Sequence, residues 1–117
     1  MQPVEPRPIN DRELAVLRTA IERAPLVEVS AALLESTRLL RVVGRCDCGC
    51  DSVTFEHVSD DSGEHGFRIA DATGYHRDGE MIGVLVWGVS GQVSNLEVYN
   101  FTDNLPRLPD PSTLVPF

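Results

Sequence analysis

Long hydrophobic stretches, basic residues and cysteines are all scarce in this chain. The longest apolar run covers residues 81–89, whereas a membrane-spanning helix needs about 20 apolar residues. The first ten residues, MQPVEPRPIN, carry prolines and charges where a secretory signal would have its apolar segment. The three cysteines are an odd number, and without an export signal we expect their thiols to be reduced. These absences predict a cytoplasmic protein with no membrane contact.

Positively charged residues are fewer than negatively charged ones. The chain has 10 Lys and Arg residues against 18 Asp and Glu residues, which gives a formal net charge of −8 at pH 7. Affinity for nucleic acid comes from clustered basic side chains that neutralise phosphates. The composition therefore argues against a nucleic-acid partner. An acidic surface instead favours encounter with a basic protein.

The remaining composition is typical of a soluble single domain. Hydrophobic residues make up 42% and charged residues 24% of the 117 residues, which are ordinary values. A domain of this length buries about two-thirds of the surface that its unfolded chain exposes. It therefore needs neither a disulfide nor a metal ion in order to fold.

The first part of the chain has helical periodicity. Asn10 is placed to cap a helix, and Glu13 three residues later completes a capping box. Apolar residues then recur at helical spacing, and Pro25 ends this helix. Residues 26–37 predict a second helix. Residues 1–9 contain three prolines and are expected to form an extended tail.

Beyond residue 39 the hydrophobic period shortens to two, which is typical of strands. The segment 81–89 is apolar on both faces, and Asp78-Gly79 before it is a hairpin signal. We predict an α+β fold in which two N-terminal helices pack on an antiparallel sheet of about five strands in meander order. Residues 10–104 form this single domain. The tail 105–117, whose prolines should prevent regular pairing in a sheet, packs on the domain or on a partner.

The sharpest chemical feature is the segment Cys46-Asp47-Cys48-Gly49-Cys50. Thiolates are soft ligands that suit Zn²⁺, and a closed structural zinc site takes four ligands. The candidate zinc ligands are Cys46, Cys48, Cys50 and His57, with two other histidines as substitutes for the fourth ligand, His65 and His76.

The spacing of these cysteines sets a condition on any metal site. In an extended strand, residues two apart are separated by about 6–7 Å between Cα atoms. Three such thiols can share one metal ion only if Gly49 folds the segment into a turn. Two other interpretations stay open: the cysteines are small apolar residues at a strand end, or one is a reactive thiol with His57 or His76 as its base.

Acidic residues concentrate in the predicted turns. Their spacing does not match the calcium loop of an EF-hand. They are either solvated turns or a contact surface for a basic partner, since turns at one end of a sheet would concentrate negative potential. The candidate interaction residues are Asp60, Asp61, Glu64, Asp78 and Glu80.

The chain resembles a small bacterial protein family in the order of its parts. These parts are an N-terminal helical pair, the segment CDCGC followed by a Ser-Val strand, a strand with the residues LEVY at 96–99, and the tail residues LPDP at 108–111. Asp51 stands where that pattern has a proline. The resemblance implies the same order of helices and strands, and it implies no activity, cofactor or site.

The sequence contains no catalytic constellation. We therefore expect a non-catalytic protein that acts by binding another protein or a second copy of itself as a homodimer. One version is an inhibitor or immunity-type protein that neutralises a basic partner. The alternatives are a zinc-binding protein that uses the cysteine segment and, less favoured, an enzyme with a thiol nucleophile. No cofactor is expected unless the cysteine segment binds zinc.

Overall fold

The computed structural model describes residues 2–24, 31–56, 67–89 and 91–116. Within these ranges the seven strands pair antiparallel in one sheet, which has the order β1-β2-β3-β6-β5-β4-β7. Two helices precede most of the sheet. In chain order the elements are β1 (Gln2–Pro8), α1 (Asp11–Glu22), α2 (Ala31–Ser36), β2 (Arg41–Arg45), β3 (Val53–Phe55), β4 (Phe67–Tyr75), β5 (Met81–Val89), β6 (Gln92–Tyr99) and β7 (Val115–Pro116).

The α+β class is confirmed, but the predicted number and order of strands are wrong. The sheet consists of two antiparallel runs, β1-β2-β3 and β4-β5-β6, which meet where β3 pairs with β6 and Val53 lies opposite Leu96. A simple meander would place β6 at an edge. Its apolar residues Val93, Leu96 and Val98 are all buried, so β6 is an interior strand that is stabilised by a neighbour on each side.

The two additional strands come from the proline-rich ends of the chain. In β1, Pro3 lies opposite Gly44 and Pro8 lies opposite Arg41. In β7, Pro116 lies opposite Ala72, so the expectation that the C-terminal prolines prevent pairing is wrong for these last residues. Both strands lie at the ends of the sheet order, where a proline does not remove a hydrogen bond to a second neighbour.

The N-terminal cap of α1 is confirmed. Glu13 N donates to Asn10 Oδ1 at 2.8 Å, and Asn10 N donates to Glu13 Oε1 at 3.0 Å. The Glu13 carboxylate, on a residue only 4% exposed, also accepts two hydrogen bonds from Arg7 at 2.9 and 2.8 Å. This bidentate pair fastens β1 to α1.

The second predicted helix is observed only in its last part. α2 covers Ala31–Ser36 and continues as a 3-10 turn over Thr37–Leu39. Residues 25–30, which include Pro25 and the start of the predicted helix, lie outside the described residues. No helix in the described ranges is long and apolar enough to cross a membrane.

One hydrophobic core lies between α1 and the sheet, with α1 packed against β4 and β5. The C-terminal segment contributes Leu108 and Leu114, which are 6% and 0% exposed. This segment therefore packs on the domain itself. The largest fully buried apolar side chains are Phe55, Leu17, Ile21, Ile82, Leu96, Leu114, Val16, Val42, Val84, Val86 and Val93.

The opposite face of the sheet is only partly covered. Trp87 is half-buried there. Its Nε1 donates to Glu97 Oε2 at 3.0 Å, and the Arg68 guanidinium lies 5.7 Å from its ring centroid. The ring of Tyr99 lies directly on Gly83, because a Cβ atom at Gly83 would fall 2.0 Å from Tyr99 Cζ.

Candidate metal centre

The three cysteines lie in the tight connection between β2 and β3. Cys46 N donates to Ser52 O at 3.2 Å and closes the connection, while Gly49 N donates to Cys46 O at 3.2 Å and forms a turn inside it. Gly49 has a φ of +88°, a left-handed value that glycine adopts without steric cost. The turn required for the thiols to share a metal ion is therefore present.

This turn brings the sulfur atoms together. All three Sγ atoms lie within 4.8 Å of one another, and Cys46 Sγ and Cys48 Sγ are 2.9 Å apart. A Zn–S distance of about 2.3 Å places the sulfurs of a tetrahedral site about 3.8 Å apart. Metal binding would therefore separate these two atoms by about 0.9 Å. Cys48 is exposed, so rotation of its side chain is sufficient for this change.

The two closest thiols hold their protons unequally. Hydrogen bonds from the Cys48 thiol and backbone N–H lower the pKa of Cys46. The same thiol hydrogen bond raises the pKa of Cys48 to about 11, because Cys48 keeps the shared proton. Cys46 is thus the first of the pair to become a thiolate. A metal ion must displace the proton of Cys48, so metal affinity should rise with pH.

The end of the cysteine segment is fixed to two other parts of the domain. Asp51 N donates to Pro106 O at 3.2 Å, and Asp51 Oδ2 accepts from Leu108 N at 2.7 Å. The buried Ser52 accepts a hydrogen bond from Val98 N at 2.9 Å. Sequence reasoning missed both anchors, because they join residues that are 57 and 46 positions apart in the chain. Anchors of this kind hold the base of the loop while its cysteine-bearing tip can adjust.

The structure brings three of the predicted ligands together and describes one of the three candidate histidines. Within the described ranges, the cysteines are the group whose ligand atoms lie close enough to share a metal ion. His57 and His65 lie outside the described residues. His76 lies in the hairpin between β4 and β5, where its Nδ1 is 3.2 Å from Asp78 Oδ1.

The five acidic residues predicted to contact a partner are also only partly described by the structure. Asp60, Asp61 and Glu64 lie outside the described residues. A hydrogen bond from Glu80 N lowers the pKa of Asp78. Glu80 accepts side-chain hydrogen bonds from Asn104 and Asn100, which lower the pKa of Glu80. These two carboxylates therefore order the hairpin and the 100–104 turn, and their role in binding a partner stays a prediction.

A cavity of about 460 Å³ lies beside Cys46 and is lined in part by Trp87, Asn95 and Glu97. A thiol nucleophile there would use a neighbouring general base. No histidine is among the described residues that line this cavity. The cavity thus gives the thiol-enzyme alternative a space for a substrate, and the described part of its wall supplies no histidine base.

Comparison of the chain with protein-family models, with curated proteins and with solved structures gives no match.

Proposed function

We propose that this protein binds a thiophilic metal ion, Zn²⁺ in the first place, through Cys46, Cys48 and Cys50, with His57 as the fourth ligand. The observation that carries the proposal is the approach of all three sulfurs to within 4.8 Å of one another. Soft thiolates favour zinc and Cu(I) over the hard cations Mg²⁺ and Ca²⁺. A group of three thiols on a short, anchored loop is a chemically suitable donor set.

The position of the site suggests reversible binding. The hydrophobic core lies between α1 and the sheet, whereas Cys48 is exposed at the tip of a loop. The fold can form without the ion, since the buried core cluster contains no cysteine and only Cys50 of the three packs against it. An exposed ligand also lets an acceptor thiol reach the metal. We therefore propose a role in holding or transferring the ion rather than in stabilising the fold.

Zinc titration of the reduced protein against a chromophoric chelator, together with native mass spectrometry, tests this function. We expect one zinc ion per chain. Replacement of Cys46, Cys48 or Cys50 by serine should weaken binding by at least about tenfold, because each supplies a ligand. Absence of zinc binding by the fully reduced protein at neutral pH would overturn the proposal.

A matched pair of histidine variants tests the fourth ligand. His57→Ala should weaken zinc binding, whereas His76→Ala should leave it unchanged because His76 is paired with Asp78 in another hairpin. Equal affinities of the two variants would indicate a site with three sulfur ligands, completed by water or by an added thiol.

A second proposal is the protein-binding function expected from composition. What supports it is the partly covered sheet face, where Phe101 is 71% exposed and contacts Tyr99 with ring centroids 5.9 Å apart. Exposed aromatic groups of this kind are enriched at protein interfaces. Sedimentation equilibrium of wild type and Phe101→Ser tests self-association through this face. A monomer in both cases would count against a homodimer, and co-purification from the native host would test for another partner.

A further inference from the structure

Only some of the basic residues of this acidic chain are paired with carboxylates in the described ranges. All ten are arginine, because the sequence contains no lysine. Five of them form ion pairs with carboxylates among the described residues, and Arg23 donates to backbone carbonyls, including Leu114 O at 2.6 Å. The other four have no carboxylate within 4.0 Å in the described part of the chain: Arg12, Arg45, Arg77 and Arg107.

Three of these four arginines line a single cleft. It has a volume of about 230 Å³, and its wall includes Arg12, Arg77, Arg107 and His76. Arg12 and Arg77 also line an adjoining depression of about 380 Å³ on the side of Leu108 and the 3-10 turn that follows it. Arg12 comes from the first turn of α1, Arg77 from the β4–β5 hairpin and Arg107 from the C-terminal segment. Three distant parts of the sequence thus bring guanidinium groups to one place.

Asp51, which lines this cleft, and two carboxylates in neighbouring depressions already accept hydrogen bonds. Asp51 accepts from Leu108 N at 2.7 Å, Asp78 from Glu80 N at 2.9 Å, and Asp110 from Ser112 N at 3.0 Å. Asp78 Oδ1 also lies 3.2 Å from His76 Nδ1. These carboxylates reduce the positive potential, but among the described residues they leave the N–H groups of the three guanidiniums without a carboxylate acceptor. The chain has 18 acidic residues, yet these three arginines have no described carboxylate partner. This arrangement favours the binding of an external anion.

The shape and charge of the cleft select the acceptor. A guanidinium presents planar pairs of N–H groups that match the oxygens of a phosphate. The cleft is too small for an extended polyanion, and the net charge of −8 repels one. We propose that the cleft lined by Arg12, Arg77 and Arg107 binds one compact phosphate group, either as inorganic phosphate or as the phosphoryl end of a small monoester.

Isothermal titration of the protein as purified, at low ionic strength, tests the site with inorganic phosphate and with glycerol 3-phosphate as separate probes. We expect saturable 1:1 binding of at least one probe. Tighter binding of inorganic phosphate would identify the free anion as the ligand, and tighter binding of the monoester would identify a phosphorylated metabolite. Absence of saturable binding of both probes up to about 50 mM would overturn the proposal.

Arginine variants locate the binding. Arg12→Ala, Arg77→Ala and Arg107→Ala should each weaken it by about tenfold, because each removes a charge-assisted donor. The matched control is Arg38→Ala, an exposed arginine that already pairs with Glu35, and its affinity should stay within about twofold of wild type. All four positions are exposed, so the variants should fold. An equal loss in Arg38→Ala would show only a general effect of charge and would refute the site. The metal proposal is tested independently of these titrations.

Discussion

Replacement of Asp51 by alanine should both destabilise the domain and weaken the cysteine site. The Asp51 carboxylate accepts a 2.7 Å hydrogen bond from Leu108 N, and Leu108 is only 6% exposed. Alanine would leave that buried N–H without its acceptor. Hydrogen bonds to charged groups contribute about 1.5–3 kcal/mol. Because Asp51 is half-buried, we expect a loss near the lower limit, about 1.5–2 kcal/mol.

The size of the effect can be measured by thermal unfolding. A chain of this length has an unfolding entropy that converts 1 kcal/mol into a shift of about 4 °C in Tm. Asp51→Ala should therefore lower the Tm by about 6–8 °C. Asp51→Asn is the matched control, because its amide oxygen can still accept from Leu108 N while the charge is lost. Its Tm should fall by about half as much.

Zinc affinity provides a second measurement on the same variants. Asp51→Ala retains all three cysteines but frees the loop from Leu108, so zinc binding should weaken by about tenfold. Two results would refute this reasoning: a Tm for Asp51→Ala within about 2 °C of wild type, or equal losses in the alanine and asparagine variants. The first would show that the hydrogen bond is not important, and the second that the charge alone matters.

Three further predictions concern the rest of the domain. Arg7→Ala should lower the free energy of unfolding, measured by urea titration, by about 2–3 kcal/mol, because Glu13 is left buried without its bidentate partner. The double variant Arg7→Ala/Glu13→Ala should lose less stability than the sum of the two single variants. Gly83→Ala should displace the tyrosine ring packed on it and cost about 1–3 kcal/mol, and an unchanged near-UV circular dichroism spectrum would contradict the contact. Iodoacetamide at pH 8 should label Cys46 before Cys48, because the pKa of Cys46 is lowered and that of Cys48 is about 11. The difference between the two labelling rates should narrow as the pH approaches the pKa of Cys48. Equal rates in peptide mass spectrometry would refute the unequal sharing of the proton.

Features set by neighbouring residues were predictable from the sequence. The capping box of Asn10 and Glu13 depends on two side chains three positions apart, and it is present. The turn at Gly49 was named as the condition for a shared metal ion rather than predicted, and it is present. Both depend on backbone conformations that a few residues determine locally.

Features that join distant segments were not predictable in the same way. The pairing of β3 with β6 depends on which strand edges remain available after each run has formed, and no local pattern carries that information. The contact of Asp51 with Leu108 joins residues 57 positions apart. The approach of Arg12, Arg77 and Arg107 likewise needs the positions of three separate elements. The alternation of apolar and polar residues predicts which face of the sheet a side chain lies on. It does not predict which strands will pair.

The prolines in the outer strands have a consequence for aggregation. An outer strand with free N–H and C=O groups can template the addition of another chain. β1 has no backbone N–H group to offer at Pro3, Pro6 and Pro8. At the opposite end, β7 and the turn before it cover β4 from Ala72 to Tyr75, and the remainder of β4 carries a bulge and the Arg68–Asp71 pair. Both borders of the sheet are thus poor templates for fibril growth, and any assembly of this protein should use its faces or loops instead.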